Sequence, residues 1–127
     1  IYENNKDKVM LPASITKILT CIVAIENGDL NEYYKVDYET ISQIGSSIYM
    51  DLNDEMRLYD LLVGLMLRSG NDCAYLIASN VFESYDIFIE KMNSLARKIG
   101  MNNSVFNNPS GLDSNTLVLL PSLHLFG

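Results

Sequence analysis

Ser14 and Lys17 stand three positions apart in LPASITKILTCIVAI (Leu11–Ile25), a stretch whose next charged residue is Glu26. Three helical residues rise about 4.5 Å, so on a helix the hydroxyl and the amine share a face and can meet. That face continues through Thr20 and Ala24, while Ile15, Ile18, Leu19, Ile22, Val23 and Ile25 cover the rest. A serine hydroxyl is a weak nucleophile until a base takes its proton, and lysine is a weak base while its pKa stays near its ordinary value. An apolar surround and the positive end of a helix macrodipole both disfavour the ammonium form. The same helix start offers unpaired backbone N–H groups to a developing oxyanion. The pattern is short, and a lysine near a helix end also has the alternative of carrying its ammonium to water along its apolar stem.

A second polar cluster, Ser69-Gly70-Asn71, interrupts two apolar runs in LMLRSGNDCA. Its structural reading is a helix–helix turn with Asn71 or Asp72 as the next N-cap. Its functional reading places a second hydroxyl and an amide beside Ser14 and Lys17. Ser69 would pass a proton to a leaving amine, and Asn71 would bond the lysine and a substrate carbonyl.

These groups need helices to hold them. A helix is expected from about Ser14 to Glu26, with Pro12 ahead of it and Gly28 as a left-handed cap. Residues 31–47 look irregular, with one helical turn near Tyr38 to Gln43. Asn53-Asp54 is a turn signal around which a small hairpin is expected. RLYDLLVGLMLR predicts a helix with Leu58, Leu61, Leu62, Leu65 and Met66 inward, and NDCAYLIASNVF a second one. SYDIFIEKMNSLARKIG predicts an amphipathic helix with Ile87, Phe88, Met92, Leu95, Ala96 and Ile99 on one stripe, ended by Gly100. MNNSVFNNPSGLDSN is a loop by its Asn, Ser, Pro and Gly.

The 127 residues fit one domain or part of a larger one, and 48% hydrophobic with 20% charged is a globular composition. A net charge of −7 argues against a nucleic-acid partner, which would need a basic face. No apolar run approaches the ~20 residues that cross a bilayer. An export signal or membrane anchor is expected outside this chain. Cys21 and Cys73 are too few for a disulfide framework and match no zinc spacing, so they read as small buried hydrophobes.

Ser14-Ile15-Thr16-Lys17 followed by Ser69-Gly70-Asn71 resembles the serine penicillin-recognising enzymes. PASITKILT, LLVGLMLRSGNDCA, MNSLARKIGM and FNNPSGLD narrow the resemblance to the low-molecular-mass D-alanyl-D-alanine carboxypeptidases, from about Tyr2 to Asp113. The resemblance implies an α+β fold of the β-lactamase/D,D-peptidase type, of which this chain covers mainly the helical cluster and little of the antiparallel sheet. It implies Ser14 as the acylated nucleophile, Lys17 as its base, and Ser69 and Asn71 as further catalytic and substrate-binding groups. The substrate would be a peptidoglycan stem peptide ending in D-Ala-D-Ala, β-lactams would acylate Ser14 as mimics, and no metal or cofactor is implied. The location would be the cell envelope, outside the cytoplasm.

The family's third motif, Lys-Thr-Gly or close to it, follows the NPSGLD loop on a strand, and this chain has no lysine after Lys98. Residues 114–127 depart from the family pattern, and His124 within them has no role in its mechanism. The family's first strands are also mostly missing. The expectation is a partial catalytic domain over residues 1–127, inactive or impaired by itself, whose sheet-facing helices expose apolar surface and self-associate. Two alternatives stand. One is a β-lactamase-like hydrolase, which would need a deacylating Glu; Glu83 and Glu90 read as helical and unsuited to that role. The other is a non-catalytic helical domain that only binds a peptide or partner.

Overall fold

The computed structural model describes the backbone of residues 12–111 and the side chains of residues 15–111. The Ser14 side chain, the opening segment IYENNKDKV, His124 and the 114–127 tail lie outside these limits. The elements run α1 (Pro12–Asn27), β1 (Tyr33–Lys35), α2 (Tyr38–Ile41), β2 (Glu55–Arg57), α3 (Leu58–Arg68), α4 (Asn71–Asn80) and α5 (Tyr85–Lys98).

Pro12 occupies the first position of α1, where its missing N–H is no loss. Thr16, Leu19, Thr20, Val23 and Ala24 recur at helical spacing and are all buried. The helix is less enclosed than its sequence implies: Ile18 and Ile25 are exposed, Ile25 by 55%. Gly28 does not take the expected left-handed conformation. Its role is steric, because a Cβ there would lie 2.7 Å from a Leu58 methyl and 2.9 Å from the Ala24 carbonyl.

Helix α4 is the centre of the core. Cys73, Ala74, Leu76, Ile77 and Ala78 are fully buried, and α4 packs on α1, α3 and α5. From α3 come Leu58, Leu61, Leu62 and Leu65, as the spacing predicts, but Met66 faces out at 49% exposure. A buried stripe of Phe88, Met92 and Ala96 comes from α5, with Leu95 and Ile99 partly buried against it. Ser84 caps α5 by accepting from the Ile87 N–H at 3.1 Å, and Gly100 turns the chain out of it with φ 98°.

The sheet corrects the local hairpin expected around Asn53-Asp54. The turn exists, with Asn53 at φ 71°, but β2 pairs with the distant β1 in antiparallel register, Tyr33 opposite Arg57 and Lys35 opposite Glu55. The ladder continues as Asn53 N–H to Val36 O and Val36 N–H to Asp54 O, both 2.8 Å. A three-residue strand is too short to show alternation, so β1 was hidden in a stretch that read as irregular. The expected helical turn is α2, capped by Asp37, whose carboxylate accepts from the Thr40 N–H at 2.9 Å and hydroxyl at 2.6 Å.

Candidate active site

The two polar clusters meet. Lys17 Nζ donates to the Ser69 carbonyl at 2.8 Å, joining the first turns of α1 to the α3–α4 break across 52 residues of sequence. Ser14 lies one turn ahead of Lys17 in the α1 backbone, which puts the two residues on one face. Lys17 is half-buried, and burial lowers its amine from the ordinary 10.5. A Cys73 thiolate would oppose that shift, but Cys73 is itself buried and its pKa is pushed up to about 12. At neutral pH Cys73 is therefore a thiol, and burial is what acts on Lys17. Both cysteines are free thiols, Cys73 buried and Cys21 half-buried.

Ser69 ends α3 in the left-handed region at φ 53° and ψ 37°, with its N–H returned to the Gly64 carbonyl. A non-glycine residue there costs on the order of 1 kcal/mol, offset by the contacts the turn creates. Ser69 itself is exposed. Gly70 is needed for space: a Cβ would stand 2.9 Å from a carboxylate oxygen of Asp72 and 3.1 Å from the Cys73 sulfur.

Neither Asn71 nor Asp72 is the N-cap that the helix–helix turn reading requires. Gly70 holds the cap position of α4 without a side-chain bond, and both residues lie inside its first turn. Their side chains instead hold the 44–48 segment. Asn71 donates its backbone N–H to Ser46 O and its Nδ2 to Ile44 O, both at 2.8 Å. The Ile44 carbonyl can only accept, which fixes the orientation of the amide and leaves its oxygen as an acceptor. Asp72 accepts from the Ser47 hydroxyl at 2.7 Å, from the Ile48 N–H at 3.1 Å and from the Cys73 N–H at 2.9 Å. It is 2% exposed. In the sequence it is a carboxylate heading an apolar helix, a pattern that capping explains equally well.

The 106–111 loop closes one side of the site, held by residues outside the two motifs. Thr20 donates to the Pro109 carbonyl at 2.7 Å. Asn93 brackets Phe106, donating to its carbonyl and accepting from its N–H, both at 2.8 Å. Asn108 Oδ1 gathers the N–H groups of Ser110 and Gly111 at 3.1 and 2.7 Å. Between this loop and α4 lies a cavity of about 200 Å³ that reaches Asn71. Glu90 is on α5, but Glu83 lies in the bend before that helix, not in a helix; both are exposed. Lys17 thus sets a half-buried amine at the turn that carries Ser69 and Asn71, one turn after Ser14 in the α1 backbone.

The sequence model of a peptidase family described as D-alanyl-D-alanine carboxypeptidase matches residues 1–120. The D-alanyl-D-alanine carboxypeptidase DacF of Bacillus subtilis is 32% identical over 117 residues, covering 88% of this chain and 30% of that protein. The crystal structure of the D-alanyl-D-alanine carboxypeptidase DacD from Francisella tularensis superposes with a TM-score of 0.84 at 31% identity, over 98% of this chain and 32% of that one. Penicillin-binding protein D2 from Listeria monocytogenes, in its ampicillin-bound form, superposes at 0.76 with 26% identity, over 98% of this chain and 52% of that one. The chain thus spans about a third of the length of the DacF and DacD relatives and about half of penicillin-binding protein D2, and its fold is that of the corresponding part of the D,D-peptidases.

Proposed function

Since the chain belongs to the D-alanyl-D-alanine carboxypeptidase family, we propose that it forms part of a serine-type hydrolase that removes the terminal D-alanine from peptidoglycan stem peptides. The Ser14 oxygen attacks the carbonyl between the two D-alanines while Lys17, as the neutral amine, takes its proton. The tetrahedral oxyanion collapses, the C–N bond breaks, and the departing D-alanine nitrogen receives a proton relayed through Ser69. Asn71 accepts from the lysine through its Oδ1 and donates the second N–H of its amide to the substrate carbonyl. Water then hydrolyses the Ser14 ester. A β-lactam enters by the same attack, its ring amide standing in for the scissile peptide.

The observation that carries this reading is the bond from Lys17 to the Ser69 carbonyl, which unites both motifs around an amine whose pKa burial has lowered. Labelling with a fluorescent penicillin tests it. Covalent label is expected on the chain and absent from Ser14→Ala; equal labelling of both sinks the assignment. No lysine follows Lys98, so a Lys-Thr-Gly segment is not supplied by these 127 residues. One missing oxyanion donor lowers rate by ~10²–10³. This chain by itself is therefore expected to acylate poorly and turn over less, as a partial catalytic domain of an enzyme placed in the cell envelope outside the cytoplasm.

Self-association is the second part of the proposal. A groove of about 400 Å³ between α1 and α3 is lined by Cys21, Ile25, Leu62, Val63, Met66 and Leu67, with almost no polar surface. Leu67 is 77% exposed. A second copy of the chain would cover it, and light scattering across a concentration series reads the result. A monomer at high concentration defeats this part.

A further inference from the structure

Helix α1 grips the site twice within one turn. Lys17 donates to the Ser69 carbonyl at 2.8 Å, and Thr20 donates to the Pro109 carbonyl at 2.7 Å. The two residues stand three positions apart, a rise of about 4.5 Å. The first grip holds the turn that leads into Asn71, and the second holds the 106–111 loop. Asn71 on α4 and Asn108, Pro109 and Ser110 on the loop border the same cavity. The spacing of these two walls is therefore set from α1.

Thr20 is fully buried, and its hydroxyl has one proton for the acceptors around it. The Thr16 carbonyl, one turn earlier, stands at 3.0 Å, the Met92 sulfur at 3.7 Å and the Pro109 carbonyl at 2.7 Å. Sulfur is a weak acceptor, and the carbonyl four residues back is the ordinary local partner of a helical threonine. The shortest contact is the one that leaves the helix. Proline has no N–H, so its carbonyl is the polar group by which the backbone at position 109 can be held. Other bonds give the loop its shape. Asn108 Oδ1 receives the N–H groups of Ser110 and Gly111 within the loop itself, and Gly111 completes the turn at φ 79°. Asn93 fastens the start of the loop, at Phe106, to α5. Thr20 joins the far end to the helix that carries Lys17.

We infer that Thr20 is a positioning residue for the proposed acyl transfer: through the Pro109 carbonyl it sets the distance of the 106–111 loop from Asn71. This rests on the serine-hydrolase reading and adds to it a residue that acts through a loop. The loop borders the space beside Asn71, whereas Ser14 and Lys17 carry the bond changes. Loosening the loop should therefore weaken the encounter that precedes reaction and leave the chemical step alone. The effect is moderate, because a released Thr20 hydroxyl falls back on the Thr16 carbonyl at 3.0 Å and is not stranded.

Acylation by a fluorescent penicillin over a concentration series tests it, since the series separates the half-saturating concentration from the limiting rate. Thr20→Val is expected to raise the half-saturating concentration about fivefold, the scale of one neutral hydrogen bond, at an unchanged limiting rate. Thr20→Ser keeps the hydroxyl and should return the wild-type value. Ala78→Gly, a helix substitution of similar stability cost near the far end of α4, should match the wild type. Amide exchange gives a reading that needs no acylation. In Thr20→Val the Ser110 and Gly111 N–H groups should exchange about fivefold faster than in Ala78→Gly. A wild-type half-saturating concentration in Thr20→Val, a loss confined to the limiting rate, no recovery in Thr20→Ser, the same rise in Ala78→Gly, or equal exchange at Ser110 and Gly111 overturns the inference. If the wild-type chain takes no label, the serine reading fails, and the exchange rates alone decide whether Thr20 places the loop.

Discussion

The two sides of α1 differ in an unusual way, since the covered side holds Thr16 and Thr20 among the buried Leu19, Val23 and Ala24. Toward α4, α5 and the 106–111 loop it places Thr16, Lys17 and Thr20 in buried or half-buried positions. Toward the α1–α3 groove lie half-buried Cys21 and exposed Ile25, with exposed Met66 and Leu67 opposite. Polar groups inside are expensive unless bonded, and here Lys17 reaches Ser69 O while Thr20 reaches Pro109 O. Apolar groups outside are expensive unless covered. The proposed chemistry and the proposed self-association thus fall on opposite sides of one helix.

The largest expected effect falls on the inner side. Lys17→Ala should lower the rate of Ser14 acylation by ~10²–10⁴, the usual contribution of a general base, with folding retained by thermal melt. A wild-type rate would break the comparison by making the inner lysine ornamental. The pH profile sharpens it further. Only the neutral amine is a base, so acylation should rise with pH through an inflection below 10.5, because burial lowers the Lys17 pKa. The stability sign is consistent with this. The folded chain holds the Lys17 proton less tightly than the unfolded chain, so this group opposes folding at neutral pH. That opposition lifts between the folded pKa and 10.5. An inflection at or above 10.5 would contradict the burial argument.

Asp72→Ala comes next. It strips partners from the Ser47 hydroxyl and the Ile48 N–H, so a loss of about 1–3 kcal/mol is expected in urea melts, with weaker penicillin labelling as Asn71 loses its neighbour. Thr20→Val should cost about 1 kcal/mol, since the Pro109 carbonyl loses its donor with little change of volume. The smallest stability effect belongs to the outer side. Ile25→Glu or Met66→Lys should stay within ~0.5 kcal/mol and yet shift light scattering toward the monomer. A large destabilisation would mean that the groove is core and that the two sides do not differ.

Much of this was legible in the residues. Ser14, Lys17, Ser69 and Asn71 were singled out by type and spacing, and the structure brings Lys17 to the Ser69 turn. The 3.6-residue period located the inward leucines of α3 and the Phe88, Met92 and Ala96 stripe of α5. It misjudged Met66 and the outer isoleucines of α1, because periodicity reports amphipathicity and not whether a neighbour covers a face. Capping rules misassigned Asn71 and Asp72, since a local rule weighs only nearby backbone groups and their partners lie 24 to 27 residues away. Asn93 carried no signal at all as the anchor of Phe106.

The sequence by itself determined the helical elements, the order of the two motifs and the family they mark, because periodicity and residue chemistry are written along the chain. Only the tertiary structure decided that the Ser69 carbonyl faces Lys17, that Asp72 ties down 47–48, and that α1 covers two threonines while leaving Ile18 and Ile25 open. Those outcomes depend on which distant segment arrives beside each group, and burial, the property that sets both the Lys17 pKa and the exposure of the groove, exists only once they have met.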